Sequence, residues 1–434
     1  MMENHSYDNY LGMLGEDLGG LEVDSSGLPT ATNPRAHGPA VRLEPFKGTV
    51  QLPGVPTQTW HASHIQWAGG ACSGFVESIE QTLPGKDPTV AMRYWTESDL
   101  PFYYGLARTF ALARCWFSSC LGPTFPNRRF LIAATAHGLI DDLPFGMVDY
   151  PEGGTIFDLL SAHGISWANY HNVPAWQINL KRVLRARGVN FLRLLGAQLA
   201  SIFPSLLKAV QSKVQATAEL FPLGTLRSLN HLKTMDQFYA DARRGSLPAF
   251  SIVDPDFGKT SEENPQDVRA GEQFASKVIN AVMHGGGWGK TVLFWLYDEH
   301  GGYFDHVGPP PAVEPDGVAG ENPLNRFPLL RLVLRLTPFP AQIDVADAGP
   351  STYDRLGFRV PAVVVSPFSR KKFVSPTTYD HTSILKLVEQ VWNLPSLTRR
   401  DDAATSPIDM LDLDGPPAFL VPPTLPTPGA GARS

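Results

Sequence analysis

The clearest hydrophobic pattern along the chain lies in KTVLFWLYDEHGGYFDH, where the six-residue apolar run Val292–Tyr297 stops abruptly at Asp298, Glu299 and His300. An unbroken apolar run of that length predicts a strand buried on both faces, as in a parallel sheet covered by helices. FRVPAVVVSPF predicts a second such strand, GISWANY another, and residues 249–253 a fourth. Between them, apolar positions recur at helical spacing. Residues 100–120 predict one buried helix, 155–163 a short one, and 266–284 a longer one. YDHTSILKLVEQVWNL predicts a helix with Asp380 as its N-cap. Residues 185–221 carry Phe191, Leu192, Leu195, Leu199 and Ile202 on a helical period that Pro204 should break. They predict a helical insertion, either packed on the sheet or acting as a lid. Residues 13–58 have no period and predict a long surface excursion; the Pro-rich stretch after residue 400 predicts a poorly ordered tail. Strands alternating with helices give an α/β class with a largely parallel sheet, in which polar clusters sit where strands end. In open α/β sheets that carboxyl edge is where sites are built.

Composition narrows the partners. A formal net charge of −6, from 36 basic and 42 acidic residues, offers no basic track for a nucleic-acid backbone. Cys72, Cys115 and Cys120 follow no metal-ligand spacing and read as small buried hydrophobes. No apolar run is long enough to cross a membrane as a helix.

Three clusters carry candidate chemistry. Asp298-Glu299-His300, followed by Gly301-Gly302 and Asp305-His306, places ionisable groups at the end of a buried strand. That is costly unless a cation neutralises them. GPTFPNR sets Thr124 between Pro123 and Pro126, with Arg128 and Arg129 close behind. A hydroxyl nucleophile for phosphorus needs a fixed position, a metal and nearby positive charge. The same T-x-P-x-R spacing is similar to the sulfatase signature, but threonine cannot form the formylglycine that sulfatases use, which favours phosphoesters. Third come the histidines His61, His64, His171 and His381, and the pair Asp254 and Asp256 in IVDPDF. Singly, each of these is more often structural than catalytic.

Five co-linear segments, ENHSYDNYLG, GPTFPNR, YDEHGGYFDHVGPP, GFRVPAVVVSPF and YDHTSIL, together resemble the bacterial phospholipase C-type phosphoesterases, related to acid phosphatases in the alkaline phosphatase superfamily. The resemblance runs from residue 3 to about 402 and implies an alkaline phosphatase-like α/β catalytic domain over 1–402, with 403–434 as a tail. It implies a metal-dependent phosphoric ester hydrolase, foremost a phospholipase C-type phosphodiesterase working through a phospho-threonine. The alternatives are a broad-specificity acid phosphatase and a non-catalytic homologue. By the resemblance Glu3, Asn4, Asp298, Glu299 and the Thr124 hydroxyl would hold one or more divalent ions, whether calcium, magnesium, manganese or zinc. Thr124 would be the nucleophile. His300, His306 and His381 would contact phosphate or leaving group, and Arg128, His61 and Asp256 would bind substrate. The expected partner is a phosphoester small molecule or a phospholipid head group, with transient contact to a membrane surface and none to nucleic acid. Compartment depends on whether a signal peptide lies upstream of Met1.

Departures from the family pattern are His5 in place of Arg, Asn9 in place of His, and GGACSGF over residues 69–75. The family also places an apolar strand immediately before the Glu-Asn pair. With only Met1 and Met2 there, the expectation is a truncated first strand, exposed sheet edges and a Glu3 hanging from a free end.

Overall fold

The computed structural model describes residues 1–142, 150–172, 217–221, 228, 230–321 and 352–429. The helical insertion expected over 185–221 therefore lies almost wholly outside the described residues. The protein is a mixed α/β structure with helices packed on both sides of its sheets.

The first of the two main sheets is three-stranded and all parallel. Its central strand is β2 (Trp167–His171), flanked by β3 (Leu232–Thr234) and β4 (Phe250–Val253). The second has the order β7-β1-β6-β5, with β1 at Ala111–Ala113, β5 at Leu293–Leu296, β6 at Ala362–Val365 and β7 at Val374–Ser375. Here β6 runs antiparallel to both β1 and β5. The run through Leu293 thus forms its strand, but against an antiparallel neighbour. Two-sided burial forces apolarity whatever the strand direction, so the composition of β5 and β6 could not disclose it.

Helices follow the periodicity closely in α6 (Ile156–Ala162), α8 (Val268–Met283) and α9 (Thr382–Trp392). Residues 100–120 do not make one helix. The helix α4 (Pro101–Thr109) ends at Phe110, and β1 begins directly after it. Asp380 does not occupy the N-cap of α9, which is His381; it accepts from Thr382 N at 3.2 Å from one residue further out. The C-terminal stretch is also packed rather than loose. Trp288 Nε1 donates to Phe419 O at 2.8 Å, the Phe419 ring lies 4.7 Å from that of Phe110, and a Cβ on Gly105 would meet Pro426.

Glu3 does not hang free. Met2 N donates to Leu296 O at 2.9 Å, Asp298 N to Met2 O at 3.1 Å, and Glu3 N to Ser261 O at 3.0 Å. The amino group of Met1 donates to Val253 O at 3.2 Å. One stretch of backbone therefore touches the end of β4 on one side and the end of β5 on the other. Behind it, between these two strands, lies a cleft of about 660 Å³ lined by Phe274, Val278, Phe294, Leu387 and Val388 among others. The strands beside it are only partly covered. Ser251, Val253, Leu293 and Phe294 are intermediate in exposure, whereas every residue of β2 and β6 is buried.

Glu262 ties these pieces together below the strand ends. It accepts from Tyr10 Oη at 3.0 Å, from Tyr103 Oη at 2.6 Å and from the Tyr297 hydroxyl, and its backbone carbonyl meets His5 Nε2 at 3.0 Å. Burial pushes its pKa from the ordinary 4.5 up to about 8, against the three hydroxyl donors. The native state thus holds a proton that the unfolded chain releases near 4.5. This contribution is complete below about 4.5 and is lost as pH rises to about 8. Glu262→Gln should flatten the pH dependence of the urea midpoint across that window; an unchanged slope would assign the dependence to other groups.

Candidate active site

The Thr124 hydroxyl stands at the first residue of α5 (Thr124–Ala133), ten residues long, where the helix amides and dipole favour negative charge. Pro123 caps the helix, and Asn127 Nδ2 donates back to Gly122 O at 2.8 Å and Pro123 O at 3.0 Å, fixing the turn. Thr124 Oγ1 donates to Asn4 Oδ1 at 3.4 Å. Asn4 N in turn donates to Asp298 Oδ1 at 3.3 Å, and Glu299 N donates to the same oxygen at 2.8 Å. The beginning of the chain, α5 and the end of β5 thus converge, and Thr124, Asn4, Asp298 and Glu299 share one buried space.

Local backbone explains why these residue types are needed. Asn4 has φ +69°, a left-handed conformation that asparagine tolerates better than most residues. Gly301 has φ +68°, and a Cβ there would sit 2.0 Å from Asn4 O. Gly302 likewise has φ +80°, with Thr57 O 2.3 Å from its would-be Cβ. The two glycines turn the chain immediately after Glu299 while letting the Asn4 backbone approach. Gly301 N donates to Glu299 Oε2 at 2.7 Å.

The electrostatics are unbalanced. Glu3, Asp298 and Glu299 are all buried, and burial holds each carboxyl above its usual range. For Glu3 the next cause is the charge of Glu263; for Glu299 it is that of Asp298. Asp142 accepts from Phe125 N at 2.8 Å, beside Thr124, and burial pushes it up to about 8. Glu3 Oε2 and Glu299 Oε1 are buried and find no hydrogen-bond partner among the described residues. Carboxylate oxygens, an asparagine amide oxygen and a hydroxyl are in kind the donors that a hard divalent cation takes. By donor chemistry the residues suit such an ion, while the carboxylate and imidazole ligand atoms that lie within 4.8 Å of one another among the described residues are those of Asp8, Asp305 and His306.

Arg128 departs from its expected role. Its Nε donates to Asp298 Oδ2 at 2.9 Å, Nη1 to Asp254 Oδ1 at 2.9 Å and Thr217 Oγ1 at 3.1 Å, and Nη2 to the carbonyls of Met1 and Met2 at 3.4 Å. All five of its N–H groups face protein oxygens, and the side chain is fully buried. It joins the ends of β4 and β5 and has no donor left for a substrate phosphate.

His300 and His381 do reach the site, yet as fixed neutral rings. His381 Nε2 donates to Asp298 O at 2.7 Å and Nδ1 accepts from Trp116 Nε1 at 3.4 Å. His300 Nε2 meets Gln66 Oε1 at 2.6 Å, while Nδ1 faces Glu299 Oε2 at 3.4 Å. Burial lowers His300 to about 3 and His381 to about 4. His306 behaves oppositely. Burial works against its charge, but Asp8 Oδ2, 2.7 Å from Nδ1, and Asp305 outweigh that and raise it. Its side chain is 39% exposed.

His306 belongs to a second cluster, in which ligand atoms of Asp8, Asp305 and His306 all lie within 4.8 Å of one another. That cluster already contains a cation: Arg359 Nη2 is 2.9 Å from Asp8 Oδ1 and Nε is 2.8 Å from Asp305 Oδ1. Among the described residues no hydrogen bond joins His61 or Asp256 to the Thr124 group. His61 lies half-buried on α2 (Trp60–Trp67), and Asp256 is engaged by Gly258 N at 3.0 Å and Asn172 Nδ2 at 3.3 Å. Sequence reasoning missed Gln66, Asp142, Ser261 and Glu263. Only Gln66 carried a signal, through its place in TWHASHIQW beside the two histidines.

This convergence of a hydroxyl, an amide and buried carboxylates coincides with family membership. The chain belongs to the Phosphoesterase family, whose model matches residues 1–395, and it is a phosphoric ester hydrolase. It is similar, at 30% identity, to phospholipase C B of Mycobacterium tuberculosis, over 93% of this chain and 74% of that protein. Phospholipase C A of the same organism is 28% identical over 91% of this chain and 72% of its own length. Non-specific phospholipase C1 of Arabidopsis thaliana is 27% identical over 92% of this chain and 68% of its own. No helix among the described residues is long and apolar enough to cross a membrane.

Gly301→Ala would impose a left-handed alanine, at about 1–2 kcal/mol, and drive its methyl into Asn4 O. We expect a loss of more than about 2 kcal/mol in urea unfolding. A variant as stable as the native protein would show that the Asn4 backbone can move away.

Proposed function

We propose that the protein is a metal-dependent phosphodiesterase of phospholipase C type that works through a phospho-threonine. The observation that carries the reading is the buried Thr124 hydroxyl at a helix N-terminus, bonded to Asn4 and adjoining carboxylates that lack enough positive charge. Glu3, Asn4, Asp298, Glu299 and Thr124 would hold the divalent ion, which when bound supplies Lewis acidity and favours the alkoxide of the hydroxyl it touches.

Thr124 Oγ1 gives up its proton to solvent and attacks phosphorus, and the bond from phosphorus to the leaving alcohol oxygen breaks. Water then cleaves the phospho-threonine and returns the hydroxyl. The amino end of α5 faces the charge that develops on the transferred oxygens. The proton that the leaving alcohol takes up comes from a group other than His300 or His381, whose rings are neutral and bonded to protein. His306 retains both charge and exposure and is the candidate donor. The relatives named above are phospholipases C, which extends the reading to a phospholipid or a similar diester as substrate.

Thr124→Ala should abolish turnover of p-nitrophenyl phosphorylcholine while circular dichroism stays native and the ion still binds, more weakly, through the remaining ligands. Persisting turnover would remove Thr124 as nucleophile. Faster hydrolysis of p-nitrophenyl phosphate than of the choline diester would convert the assignment to a phosphomonoesterase at the same site. Chelation should also lower the melting temperature, because Glu3 and Glu299 would lose their counter-charge, and added divalent ion should restore it. A chelator with no effect on either turnover or melting would argue against a metal.

A further inference from the structure

Asp254 ends β4 in the sheet opposite the carboxylates of the candidate site, and the chemistry above does not use it. Its side chain is fully buried and takes four donors. Arg128 Nη1 and Thr217 Oγ1 reach Oδ1 at 2.9 and 2.7 Å; Thr217 N and Asn169 Nδ2 reach Oδ2 at 2.7 and 2.9 Å. Burial alone would raise its pKa, but Arg128, then the amino group of Met1 and the Thr217 donors, reverse this and hold it below the usual range, so it stays charged. The same guanidinium lies 2.9 Å from Asp298 Oδ2. One buried cation is thus divided between two buried anions, with no exposure on any of the three.

The division matters for what Asp298 can offer. An arginine committed wholly to Asp298 would cancel its charge and leave a neutral pair, a poor neighbour for a divalent ion. With Asp254 taking a share, the three groups together keep one excess negative charge, and Asp298 Oδ1 is turned to the backbone amides of Asn4 and Glu299. We infer that Asp254 is a positioning residue for the metal site: by engaging part of Arg128 it keeps Asp298 competent to bind a divalent cation. This rests on the reading of the site given under Proposed function.

Manganese binding to the metal-stripped full chain, followed by electron paramagnetic resonance and calorimetry, tests it. Asp254→Asn keeps the shape and removes the charge. Its manganese dissociation constant should rise about 10- to 100-fold, the usual effect of a partner behind a metal ligand. Turnover at saturating manganese and KM for substrate should stay close to native. Asp254→Glu should recover most of the affinity. Asp241→Asn, which removes a remote carboxylate paired with Lys233 and Arg244, should leave it unchanged. If Asp254→Asn fails to fold, Asp254→Ser replaces it in the same comparison. A variant that melts earlier but binds manganese as tightly as native would reduce Asp254 to a structural ion pair and overturn the inference. A native chain that binds no manganese, calcium, magnesium or zinc would overturn the metal reading itself, and this inference with it.

Discussion

A guanidinium buried between two sheets is the interaction on which the site depends. Taking Arg128 out of water is costly, and the cost is offset only because Asp254 and Asp298 meet it at 2.9 Å each. Those contacts fix three things at once. They set the relative position of the β4 and β5 ends, since each carboxylate terminates one strand. They orient α5, because Arg128 lies little more than one helical turn beyond Thr124. And they hold the first two residues, whose carbonyls take the remaining donors. Breaking one arm of this arrangement would leave an uncompensated buried charge, a larger penalty than the intact network ever contributes in stability.

Electrostatic imbalance then separates the two acidic clusters. Around Asp8 and Asp305 the fold supplies Arg359, and the negative charge is answered from within the chain. Around Glu3 and Glu299 the cation that the described residues supply is Arg128, which is already shared. Carboxylate oxygens there remain buried without partners. Proteins rarely leave such groups unanswered, and the cation proposed above would supply that answer. The contrast is informative because both clusters come from the same short segment, Asp298 to His306. Spacing along that segment treats them alike; only the folded surroundings tell them apart.

Much of this was readable in the chain. The strands through Phe294 and Val363, the helices through Ile279 and Leu385, and the turn at Gly301-Gly302 all follow from local pattern. Family motifs rather than spacing suggested grouping Glu3 with Asn4, Thr124 and Asp298; hydrogen bonds link Thr124 to Asn4 and Asn4 to Asp298. What stayed hidden was non-local. Direction in β6 is invisible in an apolar run. Arg128 looked like a phosphate ligand because sequence cannot show that its donors are occupied. His300 and His381 looked like contacts for phosphate or leaving group because burial, which strips their charge, and their bonds to protein are properties of the packed structure. The C-terminal stretch looked loose on proline content, yet Phe419 finds a pocket beside Phe110 and Trp288.

Sharing one guanidinium has a further consequence for the two strand ends. Asp254 follows β4, Asp298 lies just beyond β5, and Arg128 bonds both at 2.9 Å. A shift of either carboxylate therefore alters the hold that the other has on the same side chain, so a disturbance on the β4 side is felt at Asp298 before it reaches any other group of the site.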